Sequence, residues 1–302
     1  MLKEYFDRMY ENYDRYLVVP VAMLFLAISV LLVNYAYTGE FIQKGTDFTG
    51  GTEMTIQLDQ DFNTVGIEKA FESSGRGNIN AVKQTSGNET SLIIQVPPPQ
   101  MNQSTAEQIL LDAGYGAKVT GFRSVSAAVS QQFFKQAQLA FLMAFTIMST
   151  VIFVAFKDAV PSLAVIFAAA GDIVFAAAGM VVFNIPLTLG SLAGLLMLIG
   201  YSVDTDIVLS SRVLKRTRGS LKERIYSSAI TGITMSSGGI AGFTLLYVVS
   251  YLVVGPSELS NIAGVMVIGL LADMPFTWFG NAIVLKKYVN DELDVPGWMP
   301  WS

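Results

Sequence analysis

Six apolar segments, each long enough to cross a lipid bilayer, constrain the fold of this chain more than any other feature. A helix rises about 1.5 Å per residue, so about 20 apolar residues span the hydrocarbon core. The composition agrees, because 52% of the 302 residues are hydrophobic and only 14% are charged. We therefore predict a polytopic α-helical membrane protein. Its six transmembrane helices are expected at 17–37, 137–156, 161–183, 187–209, 229–254 and 259–285.

The rest of the composition excludes several chemistries. A formal net charge of -5 argues against a nucleic-acid partner, which would need a basic face. The chain has no cysteine and no histidine. Disulfides and thiolate metal sites are therefore ruled out, and any proton chemistry must use carboxylates, hydroxyls, lysines or water. We predict no metal site and no cofactor. The first apolar segment has no basic leader and no small-residue cleavage site, so it is expected to be a retained span.

Basic residues indicate how the chain lies in the membrane. They are concentrated in the segment after the fourth apolar stretch and at both ends of the chain, whereas the loop at 255–258 has none. Lysine and arginine favour the cytoplasmic side. We expect a multi-pass protein of the cell membrane with a cytoplasmic N-terminal segment at 1–16 and a cytoplasmic tail at 286–302. The basic residues concerned are Lys3, Arg8, Arg15, Arg212, Lys215, Arg216, Arg218, Lys222, Arg224, Lys286 and Lys287.

The polar segment 38–136, between the first two spans, then lies outside the cytoplasm. Its pattern predicts strands at 52–58, 80–84, 91–96 and 117–122, and helices at 64–73 and 104–113. The order β-α-β-β-α-β is typical of a small α+β ferredoxin-like domain. That fold supports many functions, so it does not identify one.

Four aspartates fall within the predicted spans, where an ionised carboxylate costs at least about 2.5–3.5 kcal/mol. Such a group persists only where it faces protein or water, or where it carries a proton. Structural hydrogen bonding is one interpretation, and ion coupling in a transporter or motor is the other. The four candidates are Asp172, Asp204, Asp206 and Asp273.

Helix geometry separates the two aspartates of the fourth span. Residues two apart differ by about 200° around the helix axis, so Asp204 and Asp206 cannot face the same neighbour. Asp204 shares a stripe with Gly200 and Met197, where small residues let another helix approach. We therefore expect Asp204 to face the interior and Asp206 to reach interfacial water.

Two motifs are more specific. Gly45 to Thr52 has the sequence GTDFTGGT, in which Gly50 and Gly51 permit a tight turn and Asp47 can cap local backbone donors. We interpret this turn as a structural hinge. The second motif, IGYSVDTDIVLSSR at 199–212, contains Gly200, Tyr201 and Arg212. With the six-span, one-domain layout, the two motifs closely resemble the SecF family of the Sec protein-export machinery, a relative of the resistance-nodulation-division exporters.

The resemblance implies an auxiliary subunit that works with SecD, beside the Sec translocon channel, to promote export of polypeptides across the membrane. Its partners would then be a SecD-like subunit, the channel, exported polypeptide and membrane lipid. In bacterial members the work is coupled to the proton motive force through aspartates of the fourth span. Counted from Gly200, Asp204 occupies the fifth position of the block, where the bacterial SecF pattern has its carboxylate at the sixth. Ser211 replaces the acid before Arg212. These departures indicate an archaeal member.

Two other function classes stay open at this level. An independent small-molecule or lipid exporter would usually have a second six-span half and larger outside domains. An intramembrane aspartyl protease needs two carboxylates on different spans that share a proton. Asp172 or Asp204 with Asp273 would satisfy that count, but the residues before Asp273 lack the G-x-G-D signature. We therefore do not expect an enzyme.

Overall fold

Six long helices form the membrane-spanning part of the molecule. The computed structural model describes residues 6–7, 10–58, 64–74, 79–86, 89–215, 218–255 and 257–293. The predicted fold class, six transmembrane helices with a small α+β domain between the first two, is confirmed. The helices are span 1 (Tyr13–Thr38), span 2 (Ala127–Phe156), span 3 (Ala159–Val182), span 4 (Leu189–Lys215), span 5 (Leu221–Val253) and span 6 (Glu258–Val289). Lys3, Arg8, Arg216 and the tail from 294 lie outside the described residues.

Span 2 shows why hydropathy underestimates helix length. It begins at Ala127, although the apolar segment begins only at residue 137. Ser126 caps the helix, since its hydroxyl accepts a hydrogen bond from the Val129 N–H at 3.4 Å. The first helical turns contain polar residues such as Gln131 and Lys135, which a search for apolar residues leaves out. The helix therefore continues past its apolar segment toward the α+β domain.

Spans 3, 4 and 6 form the centre of the bundle. Within their most apolar stretches, 50%, 50% and 61% of residues are buried, against 11% in each of spans 1, 2 and 5. Glycines bring span 3 close to span 6: a Cβ added at Gly171 would lie 2.5 Å from the Phe276 ring, and one at Gly179 would lie 2.5 Å from Ile268. The three central helices are also the ones that carry the intramembrane aspartates.

The α+β domain follows span 1 through a short helix, α1 (Thr46–Thr49). Its four antiparallel strands lie in the order β2-β3-β1-β4, as in a ferredoxin-like fold. Side chains of both longer helices pack on one face of this sheet, against Met54 and Ile94 among others. The elements are β1 (Gly51–Leu58), α2 (Thr64–Ser73), β2 (Asn80–Ser86), β3 (Glu89–Val96), α3 (Gln103–Asp112) and β4 (Ala117–Val125).

The other sheet face is polar near the membrane-spanning helices. Strand side chains alternate between faces, so Glu53 and its cross-strand neighbour Arg123 point away from the hydrophobic core. Glu53 accepts a hydrogen bond from the Gln95 amide at 2.8 Å. We call the end of the bundle next to this domain the domain side. On this face, Arg123 pairs with Glu258, the first residue of span 6, on the domain side.

Candidate functional site

Three aspartates from three different spans meet inside the bundle. Asp172 comes from span 3, Asp206 from span 4 and Asp273 from span 6, and each is 0% exposed. Asp206 and Asp273 share the Thr277 hydroxyl, and Asp172 accepts a hydrogen bond from Ser202, four residues before Asp206 in span 4. We call these residues and their hydrogen-bond donors the carboxylate cluster. Its donors are Ser202, Ser236, Thr277 and Asn281.

Asp206 is held entirely by span 6. Its Oδ1 accepts hydrogen bonds from the Thr277 hydroxyl at 2.9 Å and from the Asn281 amide nitrogen at 2.8 Å. Its Oδ2 is buried and has no hydrogen-bond partner among the described residues. One oxygen of this carboxyl group is therefore free to bind a proton, an ion or water.

Thr277 also connects Asp206 to Asp273. Its hydroxyl oxygen lies 3.2 Å from Asp273 Oδ1, so two carboxyl groups compete for one hydroxyl proton. Asp273 accepts a second bond from Ser236 of span 5 at 3.2 Å, and Asp172 accepts one from Ser202 at 2.5 Å. A change of charge on either Asp206 or Asp273 would thus redistribute the donors of both.

In the described part of the chain, the groups that donate to the cluster are hydroxyls and an amide rather than cations. Among the described residues, none of the ion pairs includes Asp172, Asp206 or Asp273. Arg212, the basic residue of the span-four motif, instead donates to the Ser227 carbonyl at 2.7 Å and to Thr231 at 2.9 Å. It thereby ties span 4 to span 5. Three buried carboxyl groups without a counter-cation are costly when ionised, so the cluster is suited to binding protons or cations.

A π-helical turn, Phe276–Asn281, orients the donors of span 6. It directly follows Pro275, which has no backbone N–H and so interrupts the regular α-helical bonding. Such turns are rare and are often found at functional sites. Thr277 and Asn281 were missed by the sequence analysis. Their signal is the four-residue spacing of Asp273, Thr277 and Asn281 in an apolar helix, which predicts one polar face.

The two aspartates of span 4 have the opposite placement to the predicted one. Asp204 is exposed on the outer surface of the bundle, together with Gly200 and Tyr201, whereas Asp206 is buried. A Cβ added at Gly200 would meet nothing within 4 Å. The small-residue stripe therefore faces away from this chain's own helices, and the prediction that Asp204 faces the interior and Asp206 reaches interfacial water is wrong. The prediction that Asp204 and Asp206 lie on opposite sides of span 4 was correct, but the spacing alone did not identify which side is buried.

The glycine turn at the start of the domain has the expected backbone. Gly50 and Gly51 have φ of 77° and 120°, in the region that favours glycine. A Cβ at Gly50 would lie 2.9 Å from the Ala127 Cα, and one at Gly51 would collide with the Val96 carbonyl oxygen. The turn therefore accepts no side chain at either position.

Asp47 caps a distant helix rather than the local donors that we expected. Its Oδ2 accepts the Leu189 N–H, at the start of span 4, at 3.0 Å. Its Oδ1 accepts a hydrogen bond from Arg123 Nη2 of β4 at 2.6 Å. Burial lowers the pKa of Arg123, but the carboxylates of Asp47, Glu53 and Glu258 more than offset this and raise it above its ordinary value. The guanidinium is therefore a permanent cation.

Together, the fold and the cluster define a multi-pass membrane protein with three buried carboxyl groups, from three spans, at the centre of its helical bundle. Residues 105–291 match the family described as protein export membrane protein SecD/SecF, C-terminal, and residues 42–61 match the SecD/SecF GG motif. This chain belongs to the SecD/SecF family of protein-export membrane proteins.

Similar proteins span nearly the full length of the chain. The protein-export membrane protein SecF of Methanothermobacter thermautotrophicus is 36% identical over 286 residues, covering 94% of this chain and 95% of its own. SecF of Methanocaldococcus jannaschii is 32% identical over 291 residues, covering 94% and 98%. The crystal structure of SecDF from Thermus thermophilus superposes with a TM-score of 0.74 at 20% identity. That alignment covers 93% of this chain and 38% of the solved chain, so the likeness shows the fold.

Proposed function

We propose that this chain is an auxiliary subunit of the Sec translocation machinery and works with a SecD-like partner to promote polypeptide export across the cell membrane. The α+β domain would lie outside and both termini in the cytoplasm, as the basic residues favour. Family membership and the SecF relatives support this proposal. These relatives are named as protein-export membrane proteins rather than as enzymes, which argues against the aspartyl protease. The translocon channel, exported polypeptide and lipid remain proposed partners.

The exposed face of span 4 is the proposed contact with the SecD-like partner. Met197 and Tyr201 are 41% and 45% exposed there, beside Gly200 and Asp204. A carboxylate facing lipid at this position would be unfavourable, because charged side chains in membrane helices are kept toward protein or water. A partner helix that approaches closely at Gly200 would cover this exposed face. A polar group on that helix would bind Asp204 and remove the carboxylate from lipid. The solved SecDF chain is longer than this one, since the alignment covers only 38% of it, which supports a SecD-like partner for this chain.

We further propose that the carboxylate cluster couples export to ion flow. The observation that carries this proposal is the burial of three carboxyl groups on three spans, whose donors among the described residues are all neutral. When Asp206 gains or loses a proton, Thr277 is free to shift its hydroxyl proton toward Asp206 or Asp273. That exchange gives spans 4 and 6 two alternative bonding arrangements, which ion entry would bias. The coupled ion is taken to be the proton, with the proton motive force as the source of energy.

Replacement of the buried aspartates tests the coupling. Asp206→Asn and Asp273→Asn keep the side-chain size but remove titration, so each should lower secretion about tenfold or more while membrane abundance stays within about twofold of normal. Asp112→Asn is the control, because Asp112 is an exposed aspartate of α3. Secretion of a reporter and abundance of both subunits would be measured in the same cells.

The partner assignment is tested in the same membranes. A SecD-like chain should copurify with the wild type and with both asparagine variants. Normal secretion with Asp206→Asn and Asp273→Asn would refute ion coupling through the cluster. Copurification without any SecD-like chain, together with unchanged secretion when this chain is deleted, would instead favour an independent exporter.

A further inference from the structure

Arg123 connects the α+β domain to the first residue of span 6 directly and to the start of span 4 through Asp47. It lies in β4, and its Nη2 is 2.6 Å from Asp47 Oδ1. Its Nη1 is 3.5 Å from Oε1 of Glu258, the first residue of span 6. The planar guanidinium group carries several N–H donors, so it can bind two carboxylates that lie in different directions. A lysine ammonium is a compact point charge and does this less well. We call Arg123, Asp47 and Glu258 the Arg123 bridge.

Both carboxylates of the bridge also hold the start of span 4. Asp47 Oδ2 accepts the Leu189 N–H at 3.0 Å, and Glu258 Oε2 accepts the Gly190 N–H at 2.9 Å. The Thr188 hydroxyl donates to the same Glu258 oxygen at 2.6 Å. The first N–H groups of a helix have no partner within the helix and attract negative charge. The two carboxylates are thus attracted by the helix N-terminus on one side and by Arg123 on the other.

Spans 4 and 6 carry the bridge at one end and the carboxylate cluster further along. Asp206 is 17 residues beyond Leu189, and Asp273 is 15 residues beyond Glu258. At about 1.5 Å per residue, the cluster lies roughly 22–26 Å along each helix from the bridge. A helix transmits a displacement of its end along its length, because its backbone is continuously hydrogen-bonded. The bridge therefore joins the domain directly to the two helices that hold Asp206 and Asp273.

We propose that Arg123 is a positioning residue that fixes the α+β domain against spans 4 and 6, and that release and re-formation of its ion pairs let the domain move with the cluster. The second part rests on the proposed function, whereas the first rests on the bridge alone. The Arg123 side chain is 39% exposed, as is that of Glu258, so the ion pairs can open to water. The Asp47 side chain is only 4% exposed. Its hydrogen bond from the Leu189 N–H holds the α1 turn to span 4 when the ion pairs of Arg123 are open.

Distance measurements on the full chain with its partner test the bridge. The native chain has no cysteine, so Ser104→Cys and Asn184→Cys place one spin label on α3 and one in the exposed loop before span 4. Electron–electron double resonance then reports the position of the domain. In the Arg123→Gln chain, we expect the population outside the main wild-type distance to rise roughly three- to fivefold, as removal of a partly exposed ion pair predicts.

Salt separates an ion-pair role from a packing role. The screening length falls from about 10 Å at 0.1 M salt to about 3 Å at 1 M. The wild-type distances should therefore broaden at 1 M salt, whereas those of Arg123→Gln should not change further. Lys69→Gln is the matched control, because Lys69 is an exposed cation of α2 in the same domain. It should behave as the wild type at both salt concentrations.

The outcomes are distinct. An Arg123→Gln chain with wild-type distances, or a wild-type chain indifferent to salt, overturns the proposal. If Arg123→Gln fails to accumulate, Arg123→Lys decides: broader distances at 1 M salt than in the wild type support the bridge, and identical distances at both concentrations overturn it. Secretion separates this result from the proposed function. Normal secretion with Asp206→Asn, together with altered distances in Arg123→Gln, would refute coupling but leave the bridge in place.

Discussion

The carboxylates at the domain side of the bundle and those at its centre are held by different kinds of donor. Asp47 and Glu258 have an arginine and the N-terminus of span 4 as partners. Among the described residues, the partners of Asp206 and Asp273 are hydroxyl and amide groups. The arginine and the helix N-terminus offset the negative charge of the first pair. The described residues offer no such cation to the second pair, so ionisation of its buried carboxyl groups is costly.

This difference in donors suits the Arg123 bridge and the carboxylate cluster to different roles. Ion pairs to an arginine hold parts of the molecule together with a strength that depends on salt and geometry. Carboxyl groups with neutral donors change their bonding when a proton or cation arrives, since one threonine hydroxyl serves two of them. We therefore expect the Arg123 bridge to act as the mechanical connection and the carboxylate cluster to act as the responsive element.

The largest effect is expected at the turn that presents Asp47. Gly51→Ala should lower the unfolding free energy of the α+β domain by about 3–5 kcal/mol, because an alanine adds both a strained φ and a collision with the Val96 carbonyl. Limited proteolysis of the domain and thermal unfolding of the purified chain would measure it. A Gly51→Ala chain as stable as the wild type would contradict the close approach of this turn to Val96.

Gly114→Ala is the control for Gly51→Ala. Gly114 also has a positive φ, of 85°, but a Cβ there would meet nothing within 4 Å. Its substitution should therefore cost only about 1–2 kcal/mol, the backbone part of the effect. Equal losses for the two alanine variants would show that the close approach to Val96 is unimportant.

A smaller effect is expected at the centre from Thr277→Val, which removes the shared hydroxyl and keeps the side-chain shape. Asp206 and Asp273 each lose one donor in a buried site, which should cost about 1–3 kcal/mol of unfolding free energy. Thermal unfolding at 0.1 M and 1 M salt would measure the loss. It should be independent of salt, unlike any loss at the Arg123 bridge.

Thr234→Val provides the comparison for Thr277→Val. The Thr234 hydroxyl donates only to the Ile230 carbonyl of its own helix and lies on the exposed side of span 5. Its replacement should change the unfolding free energy by less than about 0.5 kcal/mol. If Thr234→Val lowered the unfolding free energy as much as Thr277→Val, the shared hydroxyl would contribute no more to stability than an exposed one.

The smallest effect on the isolated chain is expected from Asp204→Leu. Because Asp204 is exposed, the unfolding free energy should change by less than about 0.5 kcal/mol. The affinity for a SecD-like partner should instead fall about tenfold, since a buried polar contact at that surface would be lost. Copurification and thermal unfolding would be measured together. A destabilised isolated chain with normal partner binding would contradict the placement of Asp204 at a partner surface.

Much of the architecture was predictable from local patterns. The six apolar segments gave the number of spans, because a membrane helix must hide its backbone polar groups over a fixed thickness. Alternating strand residues gave the ferredoxin-like order, which the sheet has. The glycines at 50 and 51 indicated a tight turn, and their φ angles agree. These features depend on neighbours in the chain, so local sequence is sufficient to infer them.

The sequence by itself determined that Asp204 and Asp206 lie on opposite sides of one helix, because that follows from two residues of helical rotation. Only the tertiary structure decided which side is buried, since this depends on how spans 3 and 6 pack against span 4. The same holds for contacts between distant residues. Arg123 reaches Asp47 across 76 positions, and Asn281 reaches Asp206 across 75. No local pattern contains such pairs, because they form only when separate helices and strands come together.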